Sequence, residues 1–537
     1  MTSASCVDRR NHLQPGRANR RLPIPGRWVL AVVIGLLLAG CSVSPAPVKG
    51  GAEPVKDVAA PGAGATSVGA PSGPVANVCD NPVAGPATPP PGAVVVDPAI
   101  DEDTWIKTKE NPPGTTFWLA PGVHTLTKSE YGQVSPKDGN TYLGAPGAIL
   151  DGRGQNMYAF VFKSKNVTIR YLTVRGFVPP VDQGVVNHDS ADGWVIENNI
   201  IEENRGAAVM TGSRAVVRNN CLRNNGQYGI NAGGHHVLVE GNEIVGNNAD
   251  DLEHTLPGGC GCTGGAKFWD VDGADVRGNW VHDNDGVGLW VDTNNNDFLI
   301  EDNVIENNAG EAFMYETSYN LVLRNNLMRG NAYDSGREFA NRDDNFPVAA
   351  IYLSEAGGDP RVPARTDKIE IYGNVLENNW SGITAWENAD RYCNSPVNTS
   401  GGYCTRVVHK VSACSAPAIK DPPLYADCRW KTQRLDIHDN RFIYSSKVVG
   451  CSNRMAGRMA VFANYGTVPK WSPYKGRAVQ DAITFHQDNV WHNNSYVGPW
   501  TFVAYETGPG FGVAKWRTKP YMQDAGSSFV DASAPRC

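Results

Sequence analysis

Val195-Ile196-Glu197-Asn198-Asn199 is followed by Val216-Val217-Arg218-Asn219-Asn220 and by Leu238-Val239-Glu240-Gly241-Asn242. The series continues as Asp275-Val276-Arg277-Gly278-Asn279, Leu299-Ile300-Glu301-Asp302-Asn303, Val322-Leu323-Arg324-Asn325-Asn326 and Glu370-Ile371-Tyr372-Gly373-Asn374. The final Asn of each copy follows the previous one by 21, 22, 37, 24, 23 and 48 residues. Five places after each anchor stands a second Asn: Asn204, Asn225, Asn247, Asn284, Asn308, Asn331 and Asn379. A unit of about 22 residues emerges, with insertions where the spacing jumps, and weaker copies follow at Asn440, Asn489 and Asn494. Self-similarity at such a period is the signature of a solenoid. Three short apolar strands and three bends fill one unit, and no strand of that length is stable alone. Stacked on the next unit at about 4.8 Å, each pairs its whole backbone. Asn suits the bends because it tolerates left-handed backbone angles and can bond its equivalent one coil away. The Leu lattice of a leucine-rich repeat is absent, and no 3.6-residue period supports a helical array.

Residues 115–152 carry two further stretches, Phe117-Trp118-Leu119-Ala120-Pro121-Gly122-Val123-His124 and Gly144-Ala145-Pro146-Gly147-Ala148-Ile149-Leu150-Asp151-Gly152. With the repeats, they resemble the pectate-lyase-like superfamily over about residues 93–510. The resemblance implies an all-β, right-handed parallel β-helix, a single-stranded solenoid. It implies little about activity, because this architecture hosts lyases, hydrolases, epimerases and plain binders.

The chain has 537 residues, 58 of them Gly, and a net charge of −7. Nothing in it forms a basic stripe beyond the first 27 residues, so no nucleic-acid partner is expected. Arg9, Arg10, Arg17, Arg20, Arg21 and Arg27 precede an apolar run over residues 28–39 that ends in Leu38-Ala39-Gly40-Cys41. Such a run is too short to span a bilayer and fits a signal peptide. Residues 1–40 therefore read as a lipoprotein leader, with Cys41 the lipidated residue. An exported, membrane-anchored, extracytoplasmic monomer is expected. Losing the leader removes six Arg and one Asp, leaving 42 basic against 54 acidic residues, a net charge of −12. Residues 41–92, rich in Pro, Ala and Gly, read as a disordered tether, and the β-helix as residues 93–537.

Ten further cysteines, Cys79, Cys221, Cys260, Cys262, Cys393, Cys404, Cys414, Cys428, Cys451 and Cys537, read as disulfides of an exported chain. Cys260-Gly-Cys262 lacks a partner pair at zinc-finger spacing, so no metal site is assigned to it. Two insertions interrupt the coils, one over residues 243–266 and a larger, cysteine-rich one over about 388–432.

Acids end the strand that follows each Asn pair. They are Asp270, Asp292, Glu316, Glu355, Glu387 and Glu506, preceded by segments such as Leu289-Trp290-Val291 and Thr384-Ala385-Trp386. Stacked coils place them in a column. Carboxylates one coil apart stand about 5 Å apart, the separation used by retaining glycosidases. Asp270, Asp292 and Glu316, on successive coils, are the expected acid/base residues, with Lys267 the nearest cation and His282 and Tyr315 candidate proton carriers. Trp269, Trp290, Tyr315, Trp386 and Glu387 are the expected substrate contacts, since aromatic faces stack on sugar rings. A carboxylate column is also a set of hard oxygen ligands suited to Ca²⁺, and residues 292–297 offer a second such set or a plain polar turn. The reading is a carbohydrate-active enzyme, glycoside hydrolase or polysaccharide lyase, acting on an extracellular polysaccharide. The alternative is a non-catalytic glycan- or envelope-binding β-helix.

Overall fold

A computed structural model describes residues 77–255, 263–344, 346–393, 395, 404–408, 410–414, 418–450, 456–464, 470–505 and 510–533. The leader, Cys41, most of the tether, Cys260, Cys262, Cys451, Glu506 and Cys537 lie outside the described residues.

Each coil visits three sheets in turn, and every strand pair within them is parallel. In the first sheet, Ala207–Thr211 is followed across the stack by Val287–Val291, Phe313–Glu316, Ile351–Ser354, Ile383–Asn388, Arg458–Asn464 and Thr501–Tyr505. The second sheet runs from Val94–Val96 through Val216–Arg218 and Asn296–Glu301 to Val490–His492. First and second sheets merge where Tyr228–Glu240 and Gly264–Arg277 continue around the corner. The third is a separate 13-stranded sheet from Gly122–Thr125 to Ser528–Val530. The chain is thus a right-handed parallel β-helix.

Alternation along each strand sends every second residue inward. In the first sheet the inward row reads Val209, Ile230, Ala266, Leu289, Phe313, Ile351 and Ile383. The second contributes Ile196, Val217, Val239, Val276, Ile300 and Leu323, and all of these join one buried core.

Between second and third sheets the two residues of each Asn pair do different work. The first, whether Asn198, Gly241 or Asp302, takes the left-handed conformation (φ 57, 62 and 56°) and turns the chain. The second builds a buried ladder. Nδ2 of Asn279 donates to Oδ1 of Asn303 (2.9 Å), and Nδ2 of Asn303 donates to Oδ1 of Asn326 (2.9 Å). Oδ1 of Asn303 also accepts the backbone N–H of Asn279 (2.9 Å), and its Nδ2 reaches the carbonyl of Val276 (2.9 Å). The anchors from Asn199 to Asn494 form this ladder, and those from Asn204 to Asn379 form a parallel one. At the C-terminal end Asp524, an acceptor only, receives Asn494 (3.1 Å), Ser527 (2.7 Å), Tyr496 (2.9 Å) and Trp516 (2.7 Å). On the coil after Asn494 a carboxylate takes the place of the next Asn and closes the ladder.

Opposite charges also alternate coil by coil on the outer surface. Glu197 sits between Arg170 (2.6 Å) and Arg218 (2.5 Å), Glu240 pairs with Arg277 (2.8 Å) and Glu301 with Arg324 (2.6 Å). Each half-exposed pair contributes little stability. Together they oppose a one-residue slip, which would part each pair by sending one charge to the opposite face.

The tether boundary moves. Residues 77–92, expected to be disordered, lie along the helix: Cys79 is disulfide-bonded to Cys221, and Trp118 Nε1 donates to the carbonyl of Pro86 (2.9 Å). The low charge and absent aromatics of this strap concealed anchors that other residues supply.

Replacing Asn303 with Ala strips partners from Asn279, Val276 and Asn326 at once. Each buried polar group left unpaired costs about 1–3 kcal/mol. Thermal unfolding should show a destabilisation of roughly 3 kcal/mol or more, whereas a change near zero would mean the ladder does not hold the coils.

Candidate functional site

The outer surface of the first sheet carries two rows. One contains Lys267, Trp290, Met314, Tyr352, Thr384 and Ala460, which are direct neighbours from coil to coil. Two residues further along, Asp292 follows Val291 and faces Glu316, which follows Tyr315; beyond lie Ser354, Trp386, Phe462 and Tyr505.

Charges fill the junction of these rows. Nζ of Lys267 lies 3.1 Å from Oδ2 of Asp292 and 4.3 Å from the centroid of the Trp290 ring. Trp290 Nε1 donates to Oε2 of Glu316 (2.8 Å). Nη1 of Arg391 lies 4.0 Å from Oε1 of Glu316 and 3.2 Å from Oε2 of Glu355. Glu355 also accepts the N–H of Asn388 (2.7 Å) and the hydroxyl of Ser354. Lys267–Asp292 and Glu316–Arg391–Glu355 form two ionic groups, joined by the Trp290 indole that meets both Lys267 and Glu316. Relative exposures are 7% for Lys267, 3% for Asp292, 4% for Glu316, 1% for Glu355 and 5% for Arg391. The insertion that supplies Arg391 crosses over the sheet here.

Burying an ion costs several kcal/mol unless it is paired and hydrogen-bonded. Five such groups on the outside of a β-helix, away from its core, are therefore a deliberate structure. Beside them lies a second apolar cluster. Trp386 stacks on Phe462 (6.0 Å, 17°), and Phe346 meets Trp386 edge-on (5.6 Å, 79°). Trp269, 38% exposed, is the one large aromatic beside the charged chain that presents substantial area to solvent among the described residues.

The structure brings together Lys267, Trp290, Asp292 and Glu316 of the expected residues, with Trp386 alongside. Asp270 stands one residue out of the row. Phe268 pairs with Val291, so Trp269 takes the place beside Asp292. Asp270 then turns the chain at φ 53°, and its carboxylate accepts from Nδ2 of Asn294 (2.5 Å). Tyr315 corrects the expected aromatic platform: it points inward, is fully buried, and its hydroxyl donates to the carbonyl of Tyr319 (2.5 Å). Burial raises its phenol well above the ordinary range, so it is no proton carrier. His282 belongs to the third sheet, stacked on Trp280 (3.8 Å) and beside Asp283 (2.7 Å) and Glu243 (3.4 Å), away from the row. Glu387, an expected substrate contact, is wholly buried and paired with Arg429, and Nε2 of Gln487 donates to it (2.7 Å). It shapes the corner under the insertion rather than facing a ligand.

Arg391 escaped sequence reasoning, whereas Glu355, expected in the column, stands one place beyond Ser354 and returns its carboxylate to the cluster through Arg391. Arg391 lies in an insertion with no periodicity to phase it. A calcium ion needs six to eight oxygen ligands. Here the Lys267 ammonium sits against Asp292 and the Arg391 guanidinium stands between Glu316 and Glu355, so cations already engage these oxygens and the residues do not fit Ca²⁺. The one group of described residues placed closely enough to hold a metal, Cys393, Cys404 and Cys414, is engaged in disulfides.

A model of the right handed beta helix region matches residues 183–358. No curated protein sequence matches the chain. Among solved structures, the A-module of Azotobacter vinelandii mannuronan C-5 epimerase AlgE4 is 14% identical, with a TM-score of 0.33 over 56% of this chain and 89% of that one. The catalytic domain of a GH87 alpha-1,3-glucanase in complex with nigerose is 10% identical, with a TM-score of 0.44 over 83% of this chain and 69% of the other. The catalytic unit of a GH87 alpha-1,3-glucanase from Streptomyces thermodiastaticus strain HF3-3 is 12% identical, with a TM-score of 0.39 over 83% and 69%. These likenesses concern coil architecture, and no residue role is carried over from them.

Burial pushes the Glu387 carboxyl up to about 7, against the opposing pull of Arg429 and Gln487. An acid whose folded pKa is raised keeps its proton while the unfolded chain has lost it. Stability contributed at this site therefore falls as pH rises from about 4.5 to 7 and levels off above. Melting temperatures of wild type and Glu387→Gln across that range should diverge in favour of the variant. A difference that stays constant with pH would contradict the assignment.

Proposed function

We propose that the chain is a carbohydrate-active enzyme, a hydrolase or lyase, working on an extracellular polysaccharide through Asp292 and Glu316. The observation that carries this reading is the buried Lys267–Asp292 and Glu316–Arg391–Glu355 chain on the outside of the first sheet. Burying charged groups on the outer face costs stability unless they are paired, so a cluster of them there points to a functional site. Neighbouring coils stand about 4.8 Å apart, which suits two carboxylates flanking one glycosidic bond. Asp292, ion-paired with Lys267 at 3.1 Å, is the member suited to act as the negative partner, base or nucleophile. Glu316, whose guanidinium partner is more distant at 4.0 Å, is assigned as proton donor to the leaving oxygen. Trp290 orients Glu316 through its indole N–H, and Trp269 offers an apolar face for a sugar ring.

Lys267 bears on the choice between the two reaction classes. An elimination needs a base at the sugar carbon beside the uronate and a cation on the carboxylate, and Lys267 and Arg391 are the available cations. A hydrolase needs only the two acids. The leader and Cys41 support an exported, lipid-anchored location, and the three disulfides support an oxidising compartment. The near-complete enclosure of the charged chain favours one second reading, a non-catalytic glycan binder that uses exposed Trp269 while the charges only fasten the insertion.

Incubation with neutral and uronate polysaccharides, reading reducing ends and ultraviolet absorbance of the products, separates these outcomes. Asp292→Asn and Glu316→Gln should each lower turnover by about 10²–10⁴-fold with the fold retained. Rise of reducing ends without absorbance identifies hydrolysis, and rise of both identifies elimination. Glycan binding without products in the wild type supports the binder, and undiminished turnover in both variants would remove Asp292 and Glu316 from the chemistry.

A further inference from the structure

The insertion over residues 388–432 contributes more than Arg391. Cys393 is bonded to Cys404 and Cys414 to Cys428, spanning 11 and 14 residues. The two disulfides lie against each other, with Sγ of Cys404 and Sγ of Cys414 3.5 Å apart. The N–H of Cys393 donates to the carbonyl of Cys428 (2.7 Å), and Tyr392 and Arg429 form an antiparallel bridge. Cys393, Cys414 and Cys428 are buried. From this knot two guanidinium groups project onto the sheet. Arg391, two residues before Cys393, reaches Glu355 and Glu316, and Arg429, next to Cys428, reaches Glu387 and Gln487 (3.1 Å).

We infer that this disulfide knot is part of the site: it holds Arg391 between Glu316 and Glu355 as the positioning residue for the carboxylate row. The inference rests on the catalytic reading given above and extends it to the insertion. Its physical reason is the cost of ordering. An Arg side chain on a loop loses much rotamer freedom when it is fixed between two carboxylates. Two short covalent loops closed immediately behind it remove that freedom before any ligand arrives. A decorative staple would have no reason to bridge its two ends so that both adjoining arginines meet carboxylates of the same sheet.

The groups that face Glu316 are known from each side. The preceding coil supplies Trp290 and Asp292, with Lys267 beyond Asp292. The following coil supplies Glu355 and Tyr352, and the insertion supplies Arg391. Asp292 and Glu355 both disfavour a second negative charge on Glu316, and Arg391 opposes them. Removing the guanidinium must therefore make a negative charge on Glu316 costlier.

The test compares the mature protein with Arg391→Gln, Arg391→Lys and the double variant Cys393→Ser with Cys404→Ser. A non-reducing peptide map should recover the two disulfides. Hydrogen exchange should quicken about tenfold or more over residues 351–355 and 383–388 in the double variant and in Arg391→Gln. Residues 304–306 of the third sheet should not change. The pH–rate profile of Arg391→Gln should shift upward by about one unit or more, and Arg391→Lys should recover part of that shift. If the double variant fails to fold, Arg391→Gln, with all cysteines intact, still decides the matter. Unchanged exchange in Arg391→Gln overturns the inference. So does a pH profile identical to wild type, or a zinc ion held by four thiolates in place of the disulfides. Full turnover in Asp292→Asn and Glu316→Gln would instead defeat the catalytic reading, with the exchange result still deciding whether the knot orders the row.

Discussion

An asparagine side chain buried between two coils has four hydrogen-bonding capacities and no water to satisfy them. Within the ladder each Asn meets that demand with the backbone of its own and adjacent coils and with the next Asn, and Asn494 at its end meets it with Asp524. A shift of one residue in any coil would leave several buried groups unpaired at about 1–3 kcal/mol each. The ladder therefore sets the phase of each coil, even where an insertion lengthens the loop between anchors. Asn326 still bonds Asn374 at 2.9 Å across 48 residues, and Asn374 bonds Asn440 at 3.0 Å across 66. Loops of any length can leave the stack at other corners without disturbing its register, because closing a longer loop costs little.

That tolerance is what allows a site on one face. Strands of the first sheet keep alternating inward apolar residues with outward ones from coil to coil. The outward rows are free of packing duties inside the helix and can carry charge. Lys267, Asp292, Glu316 and Glu355 come from four coils, and the insertion brings Arg391 across them. Each carboxylate in this chain is matched to a cation or an indole N–H. Without those partners the burial of the row would cost more than a fold of marginal stability can sustain.

Much of this was legible before any coordinates. Asn spacing alone implied stacked coils, and the apolar-acid endings of the strands placed Asp292 and Glu316 side by side. Reading failed where a residue stood one place out of phase. The register runs unbroken from Gly264–Val287 to Phe268–Val291, so Trp269 falls beside Asp292 and Asp270 turns the chain one place later, which Phe268-Trp269-Asp270 does not reveal. Tyr315 and Trp290 sit one position apart in the strand period, so one faces the core and the other the acids. His282 lies in an apolar triplet of the third sheet that resembles those of the first. Arg391 and Arg429 were invisible because their positions follow from disulfide pairing, which sequence leaves undetermined.

The account stands on the outer face of the first sheet being where a saccharide is held. Hydrogen exchange of the Asp292→Asn protein, with and without a panel of neutral and uronate oligosaccharides, tests this directly. Protection confined to residues 266–270, 289–293, 313–317 and 351–355 is the predicted result. Protection on the second or third sheet, with these four segments unchanged, would contradict it.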